Sequence, residues 1–126
     1  LRAIPLLGNV SAGFPSAAEE ELVDTMTLEE YLIPRRDSTY LLRVDGDSMI
    51  DAGLMPGDLV LAERNRIPRS GDIVVAEVDH AWTLKYFQRE DGRVALIPGN
   101  KKYHPIYPRE ELKISAVVVS AVRKYK

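Results

Sequence analysis

The sequence predicts a mainly β fold, made of small, highly curved antiparallel sheets with few short helices. Three observations predict it. Six short runs are rich in β-branched and aromatic residues. Turn signals bearing Gly, Pro, Asp or Asn separate them at the spacing of a small all-β domain. The length, 126 residues without internal repeat or low-complexity tract, supports one core rather than two.

The elements follow in order. Ile4 to Val10 is apolar and supplies an N-terminal strand, after which residues 11–18, Ser-Ala-Gly-Phe-Pro-Ser-Ala-Ala, read as an exposed connecting loop. Glu19, Glu20 and Glu21 form a solvated stretch, Leu22 to Thr27 a short strand, and Leu28 to Ile33 a helical turn that Pro34 ends. The six stronger strands are Tyr40–Val44, Leu59–Ala62, Ile73–Val78, Trp82–Phe87, Val94–Ile97 and Ile114–Val122. Between them lie Pro56-Gly57-Asp58, Ser70-Gly71-Asp72, Asp79-His80, Asp91-Gly92 and Pro98-Gly99-Asn100, with Asp79-His80 and Asp91-Gly92 placed as hairpin tips. Residues 1–18 thus form an N-terminal strand and loop, and residues 19–126 the main body of what is one structural domain overall.

Composition excludes several functions. Seventeen Lys and Arg stand against 19 Asp and Glu, a net charge of −2, so a broad electrostatic grip on nucleic-acid phosphates is not expected within this segment. The absence of Cys removes disulfides, thiolate metal sites and a cysteine nucleophile, which points to a cytoplasmic home. No apolar run reaches the roughly 18 residues needed to span a bilayer, and the N-terminus lacks the plan of a signal peptide. The chain opens on Leu1 rather than Met, as a piece of something longer would.

Three local features bear on chemistry. In Val44-Asp45-Gly46-Asp47-Ser48-Met49-Ile50 a strand runs into a Gly-bearing turn and then a Ser. Such a junction presents a hydroxyl outward with backbone N–H groups beside it, as a nucleophile and its oxyanion hole require, although a plain turn or helix cap uses the same residues. Lys85 sits in a mostly apolar strand, where alternation puts Thr83, Lys85 and Phe87 on one face and Leu84 and Tyr86 on the other. Burial of that face would lower the Lys85 pKa toward that of a base, whereas a lysine snorkelling from an edge strand keeps its charge in water. Ala12-Gly13, inside the small-residue loop, offers the accessible, uncrowded backbone that a scissile bond needs and that a linker also has.

Taken together, Gly46-Asp47-Ser48-Met49, Thr83-Leu84-Lys85 and an upstream Ala12-Gly13 resemble the self-cleaving serine–lysine peptidase domain shared by LexA repressors, UmuD mutagenesis proteins and phage repressors. The resemblance is ordered along the chain: Ser48 and Lys85 are 37 residues apart, Gly13 precedes Ser48 by 35, and residues 53–60, Gly-Leu-Met-Pro-Gly-Asp-Leu-Val, resemble the family's segment after the nucleophile. It implies that Ser48 attacks the Ala12 carbonyl, that Lys85 takes the Ser48 proton and returns it to the Gly13 amine, that the backbone N–H groups of Asp47 and Ser48 form the oxyanion hole, and that Thr83 orients Lys85. It implies no cofactor and no metal. His80 and His104 are read as turn residues, and Trp82 and Phe87 as shields for Lys85.

The family also implies partners: a second copy of the chain as a homodimer, with Ile114–Val122 offering a dimer edge, and the RecA–single-stranded DNA filament, which favours the cleavable state of the loop. In a LexA-type repressor, DNA is contacted only through a separate N-terminal part. In a UmuD-like subunit the partner is an error-prone DNA polymerase. Ala12 and the start at Leu1 favour the repressor; Gly13-Phe14-Pro15-Ser16 resembles UmuD. Type I signal peptidases share a Ser-Met nucleophile and a Lys base, but they require a membrane span, and Asp51-Ala52 stands where they carry Pro-Thr. A non-catalytic dimerisation module, with Ser48 and Lys85 as ordinary polar residues, is the remaining alternative.

Overall fold

The computed structural model describes residues 2–15, 24–109 and 111–126. The expectations for residues 16–18, for the Glu19–Glu21 stretch, and for the first two residues of the Leu22–Thr27 strand lie outside the described residues. The chain divides into two compact units, Leu1–Pro34 and Arg35–Lys126.

In the first unit, β1 (Ile4–Leu6) pairs antiparallel with β2 (Asp24–Met26), Ile4 facing Met26 and Leu6 facing Asp24. The helical turn α1 (Leu28–Leu32) follows. Thr27 caps it: its Oγ1 accepts from the Glu30 N–H at 3.1 Å, and its hydroxyl donates to the Glu30 carboxylate at 2.8 Å. The Thr-x-x-Glu spacing thus satisfies one of the otherwise orphaned N–H groups of the first turn. The helix stops where expected, because Ile33 precedes Pro34 and is held extended at φ −122° and ψ 94°.

The second unit contains one six-stranded sheet of β3 (Thr39–Arg43), β4 (Leu59–Glu63), β5 (Ile73–Val78), β6 (Ala81–Glu90), β7 (Arg93–Ile97) and β8 (Leu112–Val122). Their order across the sheet is β3-β4-β8-β5-β6-β7, with every neighbouring pair antiparallel. The mainly β, antiparallel class read from the sequence is therefore the observed one. The two hairpin tips are also as read: Asp79 and His80 have φ of 48° and 71°, and Asp91 and Gly92 have 51° and 79°. Positive φ at both central residues is the primed turn whose twist matches the flanking strands.

The last strand joins the two halves of the sheet. β8 pairs with β4 along Val117–Val122 on one side and with β5 along Leu112–Val117 on the other, so the two ladders overlap only at Val117 and the β5-facing side of Val118–Val122 carries no ladder among the described residues. Around the point where the two ladders meet, the strand needs apolar residues facing each way, and β8 supplies them in Ile114, Ala116, Val117 and Val118. The register slips between Leu61 and Ala62 and between Val75 and Ala76, each time by an extra β8 residue, Val119 and Ser115. Such bulges sharpen local twist.

The β5 alternation splits the core. Val74 and Ala76 pack with Phe87, Leu96 and Val117 on one face of the sheet, while Val75 joins Ala62 and Ala116 on the other. A further cluster of Val44, Met49, Leu54 and Val60 anchors the segment that leaves β3. That segment carries Ser48.

Candidate active site

The chain leaves β3 through Val44, whose N–H donates to the Asp58 carbonyl at 2.8 Å while its own carbonyl accepts from Gly57 at 2.9 Å. Gly46 then takes φ +87°, a left-handed conformation that L side chains resist, and redirects the backbone. Met49, 1% exposed, is sunk in the Val44, Leu54 and Val60 cluster. The single turn Ile50–Ala52 and the Leu54 N–H bond to the Met49 carbonyl at 3.2 Å close the segment. Ser48 is half-buried beside this anchored methionine.

Lys85 comes from the middle of β6 and is 8% exposed. Its Nζ lies 3.1 Å from Ser48 Oγ, 2.6 Å from Thr83 Oγ1 and 3.1 Å from the Leu84 carbonyl oxygen. Thr83 is two residues before Lys85 and shares its face of the strand, so β alternation alone brings its hydroxyl to the amine. Among the described residues no carboxylate pairs with Lys85. Burial, unopposed by a negative partner, pushes the Lys85 pKa below its ordinary value, because the ammonium loses hydration that the neutral amine scarcely needs.

Beside the pair lies a cavity of about 300 Å³, lined by Ser48 and Lys85 and by apolar groups that include Leu42, Val44, Trp82 and Leu84. Of the two expected shields, Trp82 borders this cavity while staying 59% exposed, and Phe87 is buried with Val74, Leu96 and Val117 in the core. His80 sits at its hairpin tip and His104 is exposed. Among the described residues no three His, Asp or Glu side chains converge in a way that would hold a metal.

Asp47 is tied down from the loop after β7. Its carboxylate accepts from the Tyr103 hydroxyl and lies 3.5 Å from Lys102 Nζ. The Tyr103 hydrogen bond, aided by the Lys102 charge, lowers the Asp47 pKa, and the same bond raises that of Tyr103. The Asp47 carbonyl accepts from Asn100 Nδ2 at 2.9 Å. Gly99 comes so close that a Cβ there would stand 3.3 Å from Met49 Cα, and its carbonyl accepts from the Asp51 N–H at 2.7 Å. Behind the turn, Arg123 makes two bonds to the Asp58 carboxylate, at 2.8 and 2.7 Å, and donates to the Gly53 carbonyl at 2.8 Å. Asn100, Tyr103 and Arg123 were not singled out by sequence reasoning, in which Pro98-Gly99-Asn100 figured only as a turn.

Ala12 and Gly13 belong to the first unit and are exposed. The Ser11 hydroxyl donates to the Phe14 carbonyl at 2.6 Å, and the Gly13 N–H donates to Ser11 Oγ at 3.2 Å.

A buried lysine amine thus lies against a serine hydroxyl at the wall of a cavity in an antiparallel β domain. The model of the peptidase S24-like family matches residues 5–119, and the chain belongs to that family. It is 40% identical over 127 residues to the LexA repressor of Carboxydothermus hydrogenoformans, a match covering 99% of this chain and 62% of that protein. The LexA repressors of Caldicellulosiruptor saccharolyticus and Alcanivorax borkumensis are 41% and 39% identical, over 96% and 95% of this chain and 59% of each relative. The chain thus spans about three fifths of the length of these curated relatives. No helix among the described residues is long and apolar enough to cross a membrane.

Proposed function

We propose that this domain is a serine endopeptidase of the self-cleaving kind, with Ser48 as nucleophile, Lys85 as general base and acid, and its own Ala12–Gly13 bond as substrate. One observation carries the reading: a buried lysine amine, with no acidic partner among the described residues, 3.1 Å from a serine hydroxyl. In the neutral amine the lone pair accepts the Ser48 proton as Oγ attacks the Ala12 carbonyl carbon. The negative oxygen that forms is met by backbone N–H groups of the Asp47 and Ser48 turn. Collapse breaks the Ala12–Gly13 bond, Lys85 gives its proton to the Gly13 nitrogen, and Ala12 remains esterified to Ser48. Water, deprotonated by Lys85, then releases the Ala12 carboxylate and returns the proton to Ser48. Thr83, 2.6 Å from Nζ, holds the amine in line.

By similarity to LexA repressors, the domain serves as the peptidase and pairing portion of a DNA-damage-responsive transcriptional repressor. It works as a homodimer, and the RecA–single-stranded DNA filament promotes its cleavage. Its net charge of −2 leaves operator contact to chain outside these residues. The purified chain incubated at alkaline pH is expected to yield a fragment beginning at Gly13, read by mass spectrometry, and Ser48→Ala or Lys85→Ala is expected to remain whole. A wild-type chain that stays intact at alkaline pH and with activated filament overturns the peptidase reading in favour of a non-catalytic pairing module.

A further inference from the structure

The side chain of Asn100 makes two hydrogen bonds of opposite sense. Its Nδ2 donates to the Asp47 carbonyl at 2.9 Å, and its Oδ1 accepts from the Lys102 N–H at 3.0 Å. A carbonyl only accepts and an N–H only donates, so the two partners leave one orientation for the amide. The Asp47 carbonyl and the Ser48 N–H belong to one peptide unit. In a planar trans peptide these groups point to opposite sides, and neither turns without the other. Fixing the carbonyl therefore fixes the N–H.

The Ser48 N–H has no partner among the described residues, and it is half of the anion-binding pair that the peptidase reading requires. The other half comes from Asp47, whose carboxylate Tyr103 and Lys102 hold. The aim of the Ser48 peptide is thus the more exposed to error. Apart from Asn100, among the described residues its carbonyl is gripped by the Ile50 N–H alone, at a long 3.4 Å. Asn100 itself is well placed to hold it, since Gly99 bonds to Asp51 and the Tyr103 N–H donates to the Asn100 carbonyl at 3.1 Å.

We propose that Asn100 is a positioning residue, whose amide pins the Asp47 carbonyl so that the Ser48 N–H points at the oxygen that becomes negative during cleavage. The donation also polarises the shared peptide and makes its N–H a stronger donor. The inference rests on the peptidase reading. Loss of an oxyanion donor typically slows such reactions by about 10²–10³. Loss of its aim, with the donor still present, is expected to slow cleavage by roughly 10- to 100-fold.

The decisive variant is Asn100→Asp, which keeps the acceptor for Lys102 and sets an oxygen against the Asp47 carbonyl. Asn100→Ala accompanies it, with thermal melts to show that both fold. Cleavage of the full chain is followed against pH. A 10- to 100-fold lower plateau in both variants, with the rise set by Lys85 unmoved in Asn100→Ala, is the expected result. The through-bond coupling between the Asn100 side-chain amide and the Asp47 carbonyl carbon, measured by NMR in Ser48→Ala, is expected to be present without any cleavage. Plateau rates within twofold of wild type, or a missing coupling, overturn the role of Asn100 while leaving the peptidase reading intact. A wild-type chain that never cuts overturns both.

Discussion

Among the described residues, the hydrogen bonds around Ala12 and Gly13 stay within four residues, and Val10 and Phe14 on either side are 93% and 94% exposed. Around Ser48 the bonds come from far along the chain: Asn100 reaches Asp47 across 53 positions, Lys85 reaches Ser48 across 37, and Gly99 reaches the Met49 sulfur across 50. One segment is defined by itself, the other by the whole sheet. In the proposed reaction this divides the labour. The nucleophile is preorganised, so little reorganisation is needed once a bond is presented, and regulation acts on the presentation of the loop. Substitutions at the turn should therefore couple folding to cleavage, and substitutions in the loop should separate them.

Lys85 tests the limit of that coupling and carries the largest expected effect. Lys85→Met should reduce self-cleavage by at least about 10³-fold, as loss of the nucleophile in Ser48→Ala should, because base and nucleophile act as a unit. Its stability should not fall with its activity. The folded chain binds the Lys85 proton less tightly than the unfolded chain does, so the unfolded state carries more protons between the folded pKa and 10.5, and wild-type stability rises with pH across that window. Lys85→Met removes a buried cation and should unfold at the same temperature or higher at pH 7, by about 1 kcal/mol in the variant's favour. The wild-type cleavage rate should climb with pH as Lys85 loses its proton, with a midpoint below 10.5. A melt several degrees lower for Lys85→Met would show that the lysine supports the fold. Thr83→Val, which removes the hydroxyl 2.6 Å from Nζ, should cost roughly tenfold in rate with little change in the melt.

Gly99→Ala should strike folding and cleavage together. The added Cβ would meet Met49 Cα at 3.3 Å and the Ala52 nitrogen at 3.4 Å, both backbone atoms that move only if the nucleophile turn moves. Overpacking of this kind costs about 1–3 kcal/mol, and a shift of a few tenths of an ångström in Ser48 should lower the rate by about tenfold. Denaturant unfolding and the cleavage assay should change in step. A normal melt with a normal rate would mean that the loop after β7 does not define the turn.

The Asp58–Arg123 pair secures the far side of the turn, and its contribution should depend on acid. Two Arg123 bonds, together with the Met55 N–H, hold the Asp58 pKa down to about 2. Stability from a carboxylate whose pKa is depressed is fully present above its ordinary value of 3.8 and is lost as pH falls through about 2. Asp58→Asn should therefore melt several degrees below wild type at pH 6, and the gap should close between pH 4 and pH 2. A constant gap would assign the loss to packing.

What the sequence makes legible follows the range of the interactions. The hairpin tips at Asp79-His80 and Asp91-Gly92 and the stop at Pro34 are settled by neighbouring residues, and each was readable. Ser48, Lys85 and Ala12-Gly13 were readable as motifs on a resemblance, while the 3.1 Å contact between amine and hydroxyl depends on how far β6 curls toward the β3–β4 connection. Asn100 was hidden in Pro98-Gly99-Asn100, because a turn asparagine and one that reaches a peptide 53 residues away are the same letter. The apolar run of β8 was legible as a strand, while its place between β4 and β5 is set by partners 34 to 63 positions earlier.

Gly13→Ala should have the smallest effect on folding and so gives the cleanest view of the loop. Nothing lies within 4 Å of a Cβ built there, and Gly13 is not among the glycines with positive φ. Alanine is thus tolerated without strain, and the lost freedom of the unfolded chain shifts stability by less than about 1 kcal/mol, in the stabilising direction. The resting structure supplies no reason for cleavage to change either. A tenfold fall in the rate of fragment release from a chain whose melt is unchanged is nevertheless the expected outcome, because the residue after the scissile bond must pass into a walled site where a methyl group meets Ser48 and its neighbours. That result would place the contact in a presented state of the loop distinct from the exposed one. A rate equal to wild type would mean that the bond after Ala12 is cut with its amine side in the open, and that the site grips only the residues before it.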